Sequence, residues 1–167
     1  NPNQAALGMI GNQYTIDWSR YHGAAVGAAI DTGLPDAELA RLAGLINNVP
    51  SHLKLHPRVE RVVDERRRMA AGEVGCDWGF AENLAYASLL AANFHVRLIG
   101  QDTRRGTFFH RHAALIDQNN GEAFLPLAQV SSDPRALTIA DSLLSEEAVL
   151  GFEYGYSTTS PDTLVIW

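Results

Sequence analysis

One cysteine, Cys76, stands in a chain of 167 residues. It leaves no internal disulfide framework and is compatible with a reducing compartment. No apolar run approaches the roughly 20 residues needed to cross a bilayer, so a membrane is not an expected partner. The opening Asn1-Pro2-Asn3-Gln4 has no charged segment leading into an apolar one, and does not read as a secretory leader. A net charge of −6 argues against binding a phosphate backbone, and nucleic acid is not expected either. Internal repeats and low-complexity segments are missing. So are the common nucleotide signatures: the loop at 100–106 lacks the Gly-Lys-Ser/Thr ending of a phosphate loop and is not a dinucleotide fingerprint. Ser142, Ser145 and Ser157 lack the glycine-flanked elbow of a serine hydrolase.

What remains is ordinary globular material, 46% hydrophobic and 19% charged, long enough for one domain with an accessory segment. Residues 1–33 are weakly patterned and read as a linker that docks through Trp18 and Tyr21. Leu39, Leu42, Leu45 and Ile46 predict a helix that ends before Pro50. A second helix opens at His56-Pro57 and carries Val59, Val62, Val63 and Met69. Its arginines (Arg58, Arg61, Arg66, Arg67 and Arg68) stand beside Glu60, Asp64 and Glu65, which reads as a solvated face with local ion pairs. A third helix over 77–90 is expected to bury Ala81, Leu84, Ala85, Ser88 and Leu89, with Glu82 as a surface or interface acid. Residues 95–100 read as a strand, and 108–117 as another. A turn at 118–121 then gives a hairpin with 123–127. Short strands follow at 137–140 and 163–167. The alternation of helix and strand predicts an α/β fold with a parallel sheet.

Chemistry gathers in three places. His110 and His112 alternate, so on a strand they share one face, and with Asp102 or Asp117 they raise a metal site as one alternative beside hydrogen-bonding or interface roles. Gln101, Asp102, Arg104 and Arg105 occupy a polar loop at the carboxyl end of a strand, where α/β proteins gather function. The stretch 141–156 has Ser145 as a helix cap, Glu146 and Glu147 in the first turn, and Ala148, Val149, Phe152 and Tyr156 on one face. Either those acids are solvated helix starters, or Glu146 is a working carboxylate where a helix leaves the sheet.

Several ordered blocks carry a resemblance. Asp77-Trp78, Ala81-Glu82-Asn83-Leu84-Ala85, Gly100-Gln101-Asp102, Arg105-Gly-Thr-Phe108, Arg111-His112-Ala113, Leu144-Ser-Glu-Glu-Ala-Val-Leu-Gly-Phe-Glu-Tyr-Gly-Tyr156 and Leu164-Val-Ile-Trp167 resemble the thiamine-diphosphate-dependent first component of 2-oxoglutarate dehydrogenase. The resemblance implies a transketolase-like pyrimidine-binding domain over 75–167, incomplete at its C-terminal end and preceded by a linker and helical segment over 1–74. It implies that Glu146 hydrogen-bonds the aminopyrimidine ring of thiamine diphosphate and so promotes loss of the thiazolium proton. Leu144 is implied as its apolar neighbour, raising the acid's pKa by burial. Gln101, Asp102, Arg105, His110 and His112 become substrate or dimer-edge candidates, with no metal ligand among them.

The resemblance further implies a homodimer whose diphosphate and magnesium are held by a domain absent here. Dihydrolipoyl succinyltransferase and dihydrolipoyl dehydrogenase are the implied partners, and 2-oxoglutarate the implied substrate of the tricarboxylic acid cycle. The location is cytoplasmic in a bacterium and the mitochondrial matrix in a eukaryote. A start without Met and an end on Trp167 in mid-strand give the expectation of a piece cut from a longer chain, inactive alone. A 2-oxoadipate dehydrogenase, a non-catalytic dimerisation module and a small His/Asp metallohydrolase are the rival readings.

Overall fold

The computed structural model describes residues 16–21, 23, 25 and 27–167. What the linker expectation says of 1–15 lies outside the described residues. Among the described residues four helices, α1 (Asp36–Ile46), α2 (Pro57–Ala70), α3 (Trp78–Ala91) and α4 (Glu146–Thr159), accompany five strands, β1 (His95–Gly100), β2 (Leu115–Ile116), β3 (Ala123–Phe124), β4 (Leu137–Asp141) and β5 (Thr163–Ile166). Each helix start has a local cause. Pro57 begins α2, where its missing N–H costs nothing, and His56 Nδ1 accepts from the N–H of Arg58 at 3.2 Å. Asp77 caps α3 by accepting from the N–H of Phe80 at 2.7 Å, and Ser145 caps α4.

The main sheet is parallel with order β4-β1-β5, as the alternation of elements predicts. Val96 sits opposite Leu137 on one side and opposite Leu164 on the other, so β1 is the centre. Side chains alternate across it. Val96 and Leu98 enter the core with Phe80, Leu84, Ala87 and Leu90 of α3, and Leu42, Ala43 and Ile46 of α1. Arg97 turns the other way and meets Glu153 of α4 through two hydrogen bonds of 2.7 and 2.9 Å. The helical segment at 36–46 therefore shares one core with the sheet. Each wholly buried Leu or Phe there stabilises the fold by about 1.5–3 kcal/mol.

Three expectations change. The buried stripe of α3 is Phe80, Asn83, Leu84, Ala87 and Leu90, while Ala85 is exposed and Ala81, Ser88 and Leu89 only half-buried. This helix is apolar around most of its circumference, so periodicity alone does not select a face. On α4 the buried residues are Val149 and Glu153, with Ala148 and Phe152 exposed. Residues 108–114 are not a strand: Phe109 (φ 57°) and His112 (φ 38°) take left-handed backbone, and pairing begins only at Leu115. The turn at 118–121 does close the β2–β3 hairpin, with Gly121 at φ 79°. The docking of the N-terminal aromatics also holds. Trp18 Nε1 donates to the Thr158 carbonyl at 3.3 Å, and Arg20 and Tyr21 both reach Asp162.

Candidate active site

The carboxyl ends of β1, β4 and β5 form one edge, and the loops leaving it carry most of the candidate residues. Asp141 closes β4 beside Gly100, and the N–H of Ser142 donates to the Gly100 carbonyl at 2.7 Å. Ser142 Oγ then accepts from the N–H of Leu144 at 3.1 Å, and Gln101 Nε2 donates to the Leu144 carbonyl at 3.0 Å. Gln101 is thus a tether for the segment that delivers Glu146. Ser145 Oγ accepts from the N–H of Ala148 at 3.4 Å, starting α4 with Glu146 as its first residue. A carboxylate there faces the positive end of the helix dipole. It is exposed and has no ion-pair or hydrogen-bond partner among the described residues. The expected burial against Leu144 is not found, for Leu144 is 55% and Leu143 102% exposed. The first turn of α4 overhangs the end of a three-stranded sheet, and no described element lies over it.

The other candidates divide between two clefts. Gln101 and His110 line one, of about 400 Å³, together with Gly100, Arg111 and Trp167 at the ends of β1 and β5. Asp102, Arg105 and His112 line the second, also about 400 Å³, with His56 and Asp141. His110 and His112 diverge because the backbone between them is not extended, so the shared face needed for a metal pair is lost. Among the described residues no three His, Cys, Asp or Glu side chains are grouped to hold a metal. Asp102 accepts from Arg105 Nε at 3.0 Å, and the Arg105 guanidinium stacks 4.1 Å from the Phe109 ring centre. That pair braces its own loop.

Behind the first cleft lies a polar network that sequence reasoning missed. Glu82 accepts from Arg111 Nη2 at 2.9 Å and from the Tyr86 hydroxyl at 2.6 Å, while Arg111 Nη1 donates to the Thr103 carbonyl at 3.0 Å. Burial alone would raise the Glu82 pKa. The bonds from Arg111 and Tyr86 and the charges of Arg111 and His110 outweigh it, so the pKa falls. Burial, then the bond to Glu82, push the Tyr86 hydroxyl far above its usual range. Burial holds the pKa of His112 down, helped by the Arg66 and Arg105 cations. Arg66, placed by the sequence on a solvated face, is 6% exposed. The signal that finds it is its register: Val59, Val63, Arg66 and Ala70 fall on one helical stripe. Asn83 on α3 and Glu153 on α4 occupy apolar stripes in the same way.

With this geometry in place, the comparison with known proteins is decisive. A family model described as "Transketolase, pyrimidine binding domain" matches residues 74–167. The chain belongs to the transketolase pyrimidine-binding family. In its frame, the parallel sheet, the α4 start and the first cleft lie within the matched region, while the second cleft also takes His56 and Val59 from outside it. A protein of Coxiella burnetii named "2-oxoglutarate dehydrogenase E1 component" is 50% identical over 92% of the chain, which covers 16% of that protein. Proteins of the same name from Cupriavidus necator and Haemophilus influenzae are 48% and 43% identical, over 93% and 91% of the chain. The chain spans 17% and 16% of those two proteins. This pyrimidine-binding chain therefore corresponds to about a sixth of such relatives.

Proposed function

We propose that the chain is the pyrimidine-side part of the decarboxylating first component of 2-oxoglutarate dehydrogenase, with Glu146 as its catalytic acid–base residue. One observation carries this: the carboxylate of Glu146, free of protein partners among the described residues, stands at a helix start on the carboxyl edge of a pyrimidine-binding fold. The names of the relatives support the substrate, 2-oxoglutarate, and work as one component of a complex; dihydrolipoyl succinyltransferase and dihydrolipoyl dehydrogenase are the partners of this reading. Their bacterial origin supports a cytoplasmic location. Thiamine diphosphate, when bound, supplies the electron sink on which a 2-oxo acid loses carbon dioxide.

The donor set fits such a ring. Glu146 has both oxygens available to hold and return a proton at a pyrimidine nitrogen, and Leu144 offers apolar surface beside it. Gln101, through the Leu144 carbonyl, keeps that segment in place. The exposure of Leu143, Leu144 and Glu146 suits a site completed by a second copy, whose cover would exclude water. Diphosphate and magnesium are assigned to a domain outside this chain, and the isolated chain is expected to be inactive.

The test is Glu146→Gln in the full-length enzyme. Decarboxylation of 2-oxoglutarate should fall by at least about 100-fold, the scale of a lost general acid–base group, while thermal stability stays unchanged. Near-normal turnover removes Glu146 from the mechanism.

A further inference from the structure

Among the described residues, buried Arg66 has no carboxylate in ion-pair reach and its Nε no hydrogen-bond partner. Its Nη2 does make bonds, donating to the carbonyls of His110 at 3.0 Å and Arg111 at 2.6 Å. Asn83 Nδ2, from α3, donates to the same Arg111 carbonyl at 3.0 Å. Gly79 brings the start of α3 so close that an added Cβ would lie 2.0 Å from the His110 carbonyl oxygen. From the other side, Gly106 at φ +80° supports the imidazole, and a Cβ there would stand 2.5 Å from its Cε1. The two consecutive peptide units that follow His110 and Arg111 are therefore gripped by two helices, while His110 lines the cleft it shares with Gln101 and Trp167.

Burying a guanidinium costs more than burying an apolar chain of equal volume. Here the compensation is two carbonyls, the charges of Asp77 and Glu82 at longer range, and the Phe80 ring, 6.0 Å away. Packing alone does not require a cation at this position; fixing two carbonyl oxygens at once does.

We propose that Arg66 is a positioning residue: through the peptide units that follow His110 and Arg111 it fixes the wall of the cleft at the carboxyl edge of β1 and β5, and so the affinity for the 2-oxo acid. The role rests on the 2-oxo acid dehydrogenase reading above, whereas the grip itself does not. Both are tested in the full-length enzyme with Arg66→Met and Arg66→Lys, the latter keeping the charge and a single donor.

Hydrogen exchange across 104–113 should accelerate about tenfold or more in Arg66→Met, with the 115–124 hairpin unchanged. The KM for 2-oxoglutarate should rise about tenfold with kcat within about twofold, below the ~100-fold loss of a gross misplacement. Arg66→Lys should restore part of both, and if Arg66→Met does not fold, Arg66→Lys is compared with wild type and should shift the same way to a smaller extent. Unchanged exchange across 104–113 overturns the grip. Faster exchange with an unchanged KM overturns the positioning role. Glu146→Gln, measured alongside, should lose turnover but keep wild-type exchange at 104–113. Retained turnover there defeats the functional reading and leaves the exchange result standing.

Discussion

Arg66, Arg67 and Arg68 are consecutive and have different fates. Arg67 pairs with Asp64 at 2.8 Å and Arg68 with Glu65 at 2.9 Å, both half in water, as mixed charge on a helix predicts. Such exposed pairs contribute about 0.3–0.5 kcal/mol each. Arg66 lies on the stripe of Val59 and Val63 and is drawn inside. Glu82 makes the same point with a titratable group. Its folded pKa is depressed from 4.5, so the stabilisation is fully present above that value and is lost as pH falls through the lower folded pKa. Comparing urea midpoints of wild type and Glu82→Gln across pH should show the widest gap above pH 4.5, narrowing as the solution is acidified. Arg111, Tyr86 and His110 are the groups that face this carboxylate. A gap that is constant with pH would mean their bonds do not favour its ionised form.

Among elements, helix starts were legible and helix faces were not. His56, Asp77 and Ser145 accept from backbone N–H groups within three residues, and such bonds are encoded in the local sequence. Ser145→Ala should therefore lower stability by about 0.5–1 kcal/mol, near the weaker end for a cap because its bond is long, as read by chemical denaturation. No change would show that the start of α4 is held by Gln101 and Ser142 alone. The face of α3 was misplaced because Trp78, Phe80, Leu84, Tyr86, Leu89 and Leu90 surround it with apolar surface. What selects Phe80, Leu84, Ala87 and Leu90 is the position of α1 and β1. The loop at 101–114 was misread as partly strand for a related reason. Its alternating pattern looks extended, yet Asp102, Phe109 and His112 take positive φ, in a loop held by Arg66 and Asn83 from distant parts of the chain and by Arg111 within it.

At the scale of the molecule, apolar side chains are left in the open around the α4 edge. Leu143 is 102%, Tyr154 71% and Phe152 59% exposed, and contiguous exposed apolar surface marks an interaction site. With the homodimer of the proposed function, sedimentation at micromolar concentration should find a dimer. A Leu143→Glu, Tyr154→Glu double variant should sediment as a folded monomer. Equal sedimentation of the two would move the interface elsewhere.

Local sequence by itself determined the α/β class, the parallel strands read at 95–100, 137–140 and 163–167, the helix starts, the hairpin turn and Glu146 at a helix start. These depend on contacts a few residues long and on side-chain periodicity. The tertiary structure alone decided that Arg66, Asn83 and Glu153 go inside, that His110 and His112 part into separate clefts, and that Gln101 serves as a tether. Those outcomes follow from hydrogen bonds spanning 28 to 56 residues. Whether a buried polar group finds its partner at such a separation is settled when the helices dock on the sheet.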